Sequence, residues 1–134
     1  SAINDDQIKN WQNIPGVTWI EPNDEIEKIM KDVNCIVLPS YREGMPKALL
    51  EAASCELPLI ATDVVGCREI CLNKYNGLLV PLKDPIALSK AIKKILQNSK
   101  LIKLYGKNGR NLVIRKFSKE IVSREFLKIY NADI

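Results

Sequence analysis

Histidine is absent from the 134 residues of this chain. With it go the Ser–His and Cys–His nucleophilic arrangements, in which an imidazole takes the proton from the attacking group. Cys35, Cys55, Cys67 and Cys71 include no C-x-x-C pair. A zinc site would have to gather its ligands from scattered positions, so no metal is expected. Free thiols in a reducing compartment account for the cysteines better. No apolar run is long enough to span a bilayer and no secretory leader is evident, which makes the cytoplasm the expected location. Aromatic residues make up 6% of the chain and are not interleaved with its basic residues, an arrangement that argues against nucleic-acid binding. No internal repeat or low-complexity stretch occurs.

What remains is 46% apolar residues, mixed charge and a net charge of +4, as for one globular domain with a substantial core. Lysine and arginine dominate the last third. A solvated helical face explains that; attraction to an anionic membrane surface, giving peripheral contact at its inner face, is the sharper alternative.

Short apolar segments alternate with helical patterns. Val17 to Ile20, Cys35 to Leu38, Leu59 to Ala61 and Gly77 to Val80 read as strands. Helices are expected up to Gln12, over Asp24–Asp32 with Asn23 as cap, over Pro46–Cys55, over Arg68–Leu72 and from Asp84-Pro85 to Gln97. Leu101 to Lys116 and Ser118 to Tyr130 form a C-terminal helical tail. The expected fold class is α/β, with a Rossmann-like parallel sheet covered by helices on both faces. In such sheets ligands bind at the carboxyl ends of the strands. Glu43, Thr62 to Gly66 and Glu69 fall at such ends. Trp11 and Trp19 read as core.

Glu43 and Glu51 are the most informative pair. Glu43 lies in the loop after Cys35–Leu38, and Pro46 opens the helix that carries Glu51. Glu51 is five residues beyond Pro46, roughly 7.5 Å along the axis. Between the two carboxylates the amides of the first helical turn are open to an anion. An ionised carboxylate can accept two hydroxyl protons from a vicinal diol. The pair therefore suits a nucleotide sugar, with sugar held at one end, ribose at the other and the diphosphate between. Gly44 lets a ligand approach the backbone closely. Gly44, Met45, Lys47 and Ala48 offer amides beside it, although the Lys47 side chain reads better as solvent-facing. Gly66 is expected to make a tight turn at the mouth of the pocket, and Glu69 to brace the neighbouring loop. Asn76-Gly77 is a turn before a strand and needs no functional account.

Pro39-Ser40-Tyr41-Arg42-Glu43-Gly44-Met45-Pro46, Leu50-Glu51-Ala52, Pro58-Leu59-Ile60-Ala61-Thr62, Gly66-Cys67-Arg68-Glu69-Ile70 and Asn76-Gly77-Leu78-Leu79-Val80 follow one another. In that order and spacing they resemble the donor-binding half of a retaining, family 4 glycosyltransferase of the two-domain GT-B fold, strongly from Val17 to Leu96 and more weakly to Tyr130. The resemblance implies transfer of a sugar from a nucleotide diphosphate sugar, with UDP preferred, to an acceptor hydroxyl. It also implies retention at the anomeric carbon, no metal and no cofactor. Glu43 would bind donor-sugar hydroxyls as the catalytic residue, without acting as a covalent nucleophile, and Glu51 the ribose. Thr62, Gly66 and Glu69 would be loop contacts.

The Tyr-Arg-Glu-Gly and Gly-Cys-Arg-Glu variants look most like enzymes that assemble bacterial surface polysaccharides, capsule or lipopolysaccharide on lipid-linked or saccharide acceptors. The chain begins at Ser1, and the resemblance implies an acceptor-binding domain ahead of it together with an Arg and a Lys for the pyrophosphate, so 1–134 alone is expected to be inactive. Two alternatives stand. One is another GT-B enzyme, such as a sugar-nucleotide epimerase or glycogen synthase; the other is a non-catalytic nucleotide- or protein-binding α/β module. One departure from the family concerns Glu56, where a Gly is common. Glycine there would suit a left-handed helix cap, so either the helix ends differently or the loop tolerates strain.

Overall fold

The computed structural model describes residues 33–38 and 47–117. The expected elements before Val33, the loop of residues 39–46 and the tail beyond Phe117 lie outside them. Among the described residues three parallel strands form a sheet: β1 (Ile36–Leu38), β2 (Leu59–Thr62) and β3 (Gly77–Val80), in the order β1-β2-β3. Ile36 pairs with Leu59 and Leu38 with Ala61 on one side of β2; Leu59 pairs with Gly77 and Thr62 with Val80 on the other. The central strand is buried throughout, which is why Leu-Ile-Ala-Thr shows no polar alternation.

Helices cover both faces, as the alternation of elements predicts. Beneath one face lies α1 (Lys47–Ser54), whose Leu49, Leu50, Ala52 and Ala53 share a core with Leu59 and Ala61 of β2. On the other face lies α3 (Pro85–Leu96), whose Leu88, Ala91, Ile92 and Ile95 pack with Ile60, Leu78 and Val80. Alternate residues of β2 thus point into different layers, as a period of two requires. Asp84 caps α3 by accepting a hydrogen bond from the Ala87 amide at 2.9 Å, and Pro85 occupies the first turn, where its missing N–H costs nothing.

The helix between β2 and β3 differs from expectation. α2 spans Val65–Arg68, not Arg68–Leu72, with one further turn in which the Cys71 amide bonds to the Cys67 carbonyl at 2.8 Å. Its apolar face is Cys67, Ile70 and Cys71, all buried, at helical spacing. Val65, 74% exposed, hides the start of that period in the sequence. The Cys67 and Arg68 amides both bond to the Val64 carbonyl, and the Arg68 guanidinium pairs back to the Asp63 carboxylate, which fixes where the helix begins.

The turn into β3 is held by Asn76, which is fully buried. Its side chain accepts from the Leu72 amide at 2.7 Å and donates to the Ile70 carbonyl at 2.8 Å. Gly77 follows because a Cβ there would lie 2.8 Å from the Leu59 carbonyl carbon on the neighbouring strand.

The tail begins as α4 (Ser99–Leu112), capped by Asn98, and continues as a π-helical turn over Val113–Phe117. It starts two residues before the expected Leu101 because the Asn98 side chain accepts from the Leu101 amide. α4 crosses the amino ends of the strands. Gly106 lies against the Glu56 carbonyl just ahead of β2, and Gly109 lies against Asn76 just ahead of β3. Among the described residues no helix is long and apolar enough to cross a membrane.

Candidate functional site

The carboxyl ends of the strands lie within one residue of each other, because Leu38, Ala61 and Leu79 share a register line and Thr62 pairs with Val80. Beyond them the Asp63 amide donates to the Val80 carbonyl at 2.8 Å, so the β2–α2 connection folds over the end of β3. α1 runs back from this edge. Its last turn leads through Glu56 and Leu57 directly to the start of β2, at the amino edge, so its amino end stands at the carboxyl edge. The amides of the first helical turn have no partner within the helix, and the helix dipole adds partial positive charge there.

Lys47 is exposed and Ala48, Glu51 and Cys55 are half-buried, whereas Leu49, Leu50, Ala52, Ala53 and Ser54 are buried. Positions 47, 48, 51 and 55 form one stripe, since residues three and four apart on a helix are neighbours. The structure therefore brings Lys47, Ala48 and Glu51 onto the same open face of α1, with Glu51 about 6 Å down the axis from Lys47. Glu43, Gly44 and Met45 lie outside the described residues.

The loop candidates divide. Thr62 is buried at 3% exposure at the end of β2, and Glu69 is exposed at the end of α2. Gly66 does not form the tight turn expected of it: it sits inside α2, in a helical turn closed by the bonds from Cys67 and Arg68 to Val64. That helix packs Cys67 inward and leaves no separate bend for Gly66 to make.

The far end of α1 closes as a Schellman cap. The Leu57 amide bonds to the Ala52 carbonyl at 3.0 Å and the Glu56 amide to the Ala53 carbonyl at 3.1 Å, with Glu56 at a φ of 60°. The helix thus ends as it would with glycine, and Glu56 carries the left-handed strain. A buried cation reinforces this end: Arg110 of α4 donates to the Ser54 carbonyl at 3.4 Å. The Ser54 hydroxyl in turn donates to the Glu51 carbonyl at 2.9 Å. A positive group beside the last carbonyls complements the negative end of the dipole.

Sequence reasoning missed Arg110 and the close approach of α4 that places it. The available signal was Gly106-x-x-Gly109 followed by Arg110, two glycines one turn apart marking a face for tight packing. No disulfide joins any of the four cysteines. Burial pushes the Cys35 thiol up to about 12, and burial followed by the nearby Cys67 and Cys35 thiols does the same to Cys71. Among the described residues no group of three or more acidic or cysteine side chains converges as a metal site.

Residues 5–112 match the family described as glycosyl transferases group 1. The chain is 30% identical over 119 residues to the N,N'-diacetylbacillosaminyl-diphospho-undecaprenol alpha-1,3-N-acetylgalactosaminyltransferase of Campylobacter jejuni, covering 89% of this chain and 31% of that protein. It is 34% identical over 94 residues to the UDP-Gal:alpha-D-GlcNAc-diphosphoundecaprenol alpha-1,3-galactosyltransferase of Escherichia coli, covering 70% and 24%. Among solved structures, the C-terminal domain of the group 1 glycosyl transferase LpcC from Francisella tularensis superimposes with a TM-score of 0.64 at 28% identity, over 75% of this chain and 52% of that one. The chain thus spans less than a third of the length of these two curated relatives.

Proposed function

The chain belongs to the glycosyl transferases of group 1 and has the α/β fold of a GT-B C-terminal domain, and from that premise we propose that it is the donor-binding half of an enzyme moving a sugar from a UDP-sugar to an acceptor hydroxyl with retention. The observation that carries the reading is the placement of α1, with its amino end at the carboxyl edge of a parallel sheet and Lys47, Ala48 and Glu51 on one exposed to half-buried face. In this reading the diphosphate lies at the amino end of α1, where dipole and N–H groups favour an anion. Glu51 takes the ribose hydroxyls through charge-assisted bonds, and Glu43 orients the sugar.

Charge on the departing diphosphate is then stabilised by fixed donors, an electrostatic contribution that requires no metal ion. The preference for uridine draws support from the galactosyltransferase relative, whose name specifies UDP-Gal. Both relatives are named for diphospho-undecaprenol substrates, which supports a lipid-linked acceptor in bacterial surface polysaccharide synthesis. The cytoplasmic side of the membrane is the matching location.

Calorimetric titration of the chain with UDP and with GDP tests the nucleotide site. Saturable UDP binding that Glu51→Ala weakens is expected. No heat from either nucleotide at millimolar concentration would favour a non-catalytic α/β module.

A further inference from the structure

Charge is divided sharply along this chain. Nine of its twenty basic residues and none of its sixteen acidic ones fall between Ile86 and Lys116, so the rest of the sequence carries eleven basic against sixteen acidic residues. Solvated helices ordinarily mix both signs, often as Glu–Lys pairs one turn apart. α3 and α4 contain no such pair.

The fold concentrates that charge. α3 buries Leu88, Ala91, Ile92 and Ile95 and turns Lys90, Lys93 and Lys94 outward. α4 buries Tyr105, Gly106, Gly109 and Arg110 and turns Lys100, Lys103 and Lys107 outward. The helices meet at Gln97 and Asn98, so the backbone positions of these six lysines lie within about 14 Å, measured along either helix, of one corner. Among the described residues none of the six is paired with a carboxylate. Leu96 and Leu104 are 41% and 54% exposed beside them. Six cations with two apolar side chains among them match a surface that is anionic in one plane and apolar just beneath it.

We propose that the α3–α4 corner is a docking surface for an anionic phospholipid membrane. The lysine ammonium groups lie among the lipid phosphates, and Leu96 and Leu104 enter the headgroup–acyl boundary. The corner is at the amino edge of the sheet, where α4 crosses, so membrane contact leaves the carboxyl edge and α1 uncovered. The inference rests on charge and exposure and does not depend on the transferase reading.

Co-sedimentation of the chain with vesicles of phosphatidylcholine alone, and with vesicles containing one third phosphatidylglycerol, tests it. Binding to the anionic vesicles alone is expected, weakening steeply between low and high salt. One basic residue at an anionic surface is worth about a fivefold change in partitioning. The Lys93→Gln, Lys100→Gln, Lys107→Gln triple variant should therefore bind about 100-fold more weakly, and Leu104→Ser should weaken binding at constant charge. Circular dichroism confirms that each variant is folded. Absence of binding, equal binding to both vesicle types, or undiminished binding by the folded triple variant would overturn the proposal. So would tighter binding to a duplex RNA than to the anionic vesicles at the same salt.

Discussion

Gly106 of α4 lies so close to Glu56 that a Cβ on the glycine would stand 2.9 Å from the Glu56 carbonyl carbon. Glu56 is the left-handed residue that ends α1, with a φ of 60°. One contact therefore locks the cap of the helix that carries Glu51 to the helix that crosses the sheet's amino edge. Gly106→Ala should force the two apart and destabilise the chain by about 1–3 kcal/mol, as overpacking does. Glu56→Gly should stabilise by about 0.5–1 kcal/mol, because it relieves left-handed strain in a cap already hydrogen-bonded. Urea denaturation measures both, and Glu56→Ala, which keeps the Cβ, should gain nothing.

Arg110 is the second clamp on this end. Arg110→Met keeps most of the side-chain volume and removes the donor to the Ser54 carbonyl. A loss of about 1.5–3 kcal/mol is expected for a hydrogen bond to a charged group. Arg110→Lys, with a single point of charge in place of the planar fork, should recover part of it. Equal stability of wild type and Arg110→Met in urea would show that the cap alone holds the helix end.

Glu51→Ala removes the acceptors assigned to the ribose. UDP affinity should fall at least about tenfold, the effect of losing one charge-assisted hydrogen bond. Glu51→Gln, which retains one acceptor oxygen, should fall between. The helical circular dichroism of both variants should match the wild type. Unchanged UDP affinity in the folded Ala variant would remove Glu51 from the site.

Glu43→Ala is read in the full-length enzyme. Transfer from the donor should drop by at least about a hundredfold while UDP binding persists, because the assigned contact is to the sugar and not to the nucleotide. Wild-type turnover would refute the role.

The buried thiols set a pH dependence. Cys35 and Cys71 are both pushed up to about 12 by burial, from an ordinary value of 9.0. Burial raises Tyr105 as well, with a smaller contribution from Cys71. Above pH 9 the unfolded chain loses these protons while the folded chain keeps them. Stability is therefore fully present below about pH 9 and declines toward pH 12, by up to about 1.4 kcal/mol per pH unit for each thiol. Urea midpoints at pH 8 and pH 10 should show the fall, and Cys35→Ala should flatten it. A slope no smaller in that variant would mean that Cys35 ionises alike in both states.

Much of the fold was legible because several segments carry local instructions. Asp84-Pro85 announces a helix start, Asn76-Gly77 a turn, and Leu-Ile-Ala-Thr a strand buried on both sides; each occurs where expected. The onset of α2 was not legible, since an exposed Val65 breaks the apolar period and the start is fixed by bonds to Val64 and the Asp63–Arg68 pair. Lys47, Ala48 and Glu51 could be placed on one helix by spacing alone. Which stripe of that helix stays open depends on what packs against the others.

By itself the sequence determined the alternation of strand and helix, the parallel sheet and the motif order that marks the family, since these follow from periodicity, caps and turn residues close together in the chain. Only tertiary structure decided that α4 crosses the amino edge, that Glu56 accepts a left-handed backbone and that Arg110 reaches Ser54. Those features join residues as far as fifty-six positions apart, and local preference contains no information about which distant groups will meet.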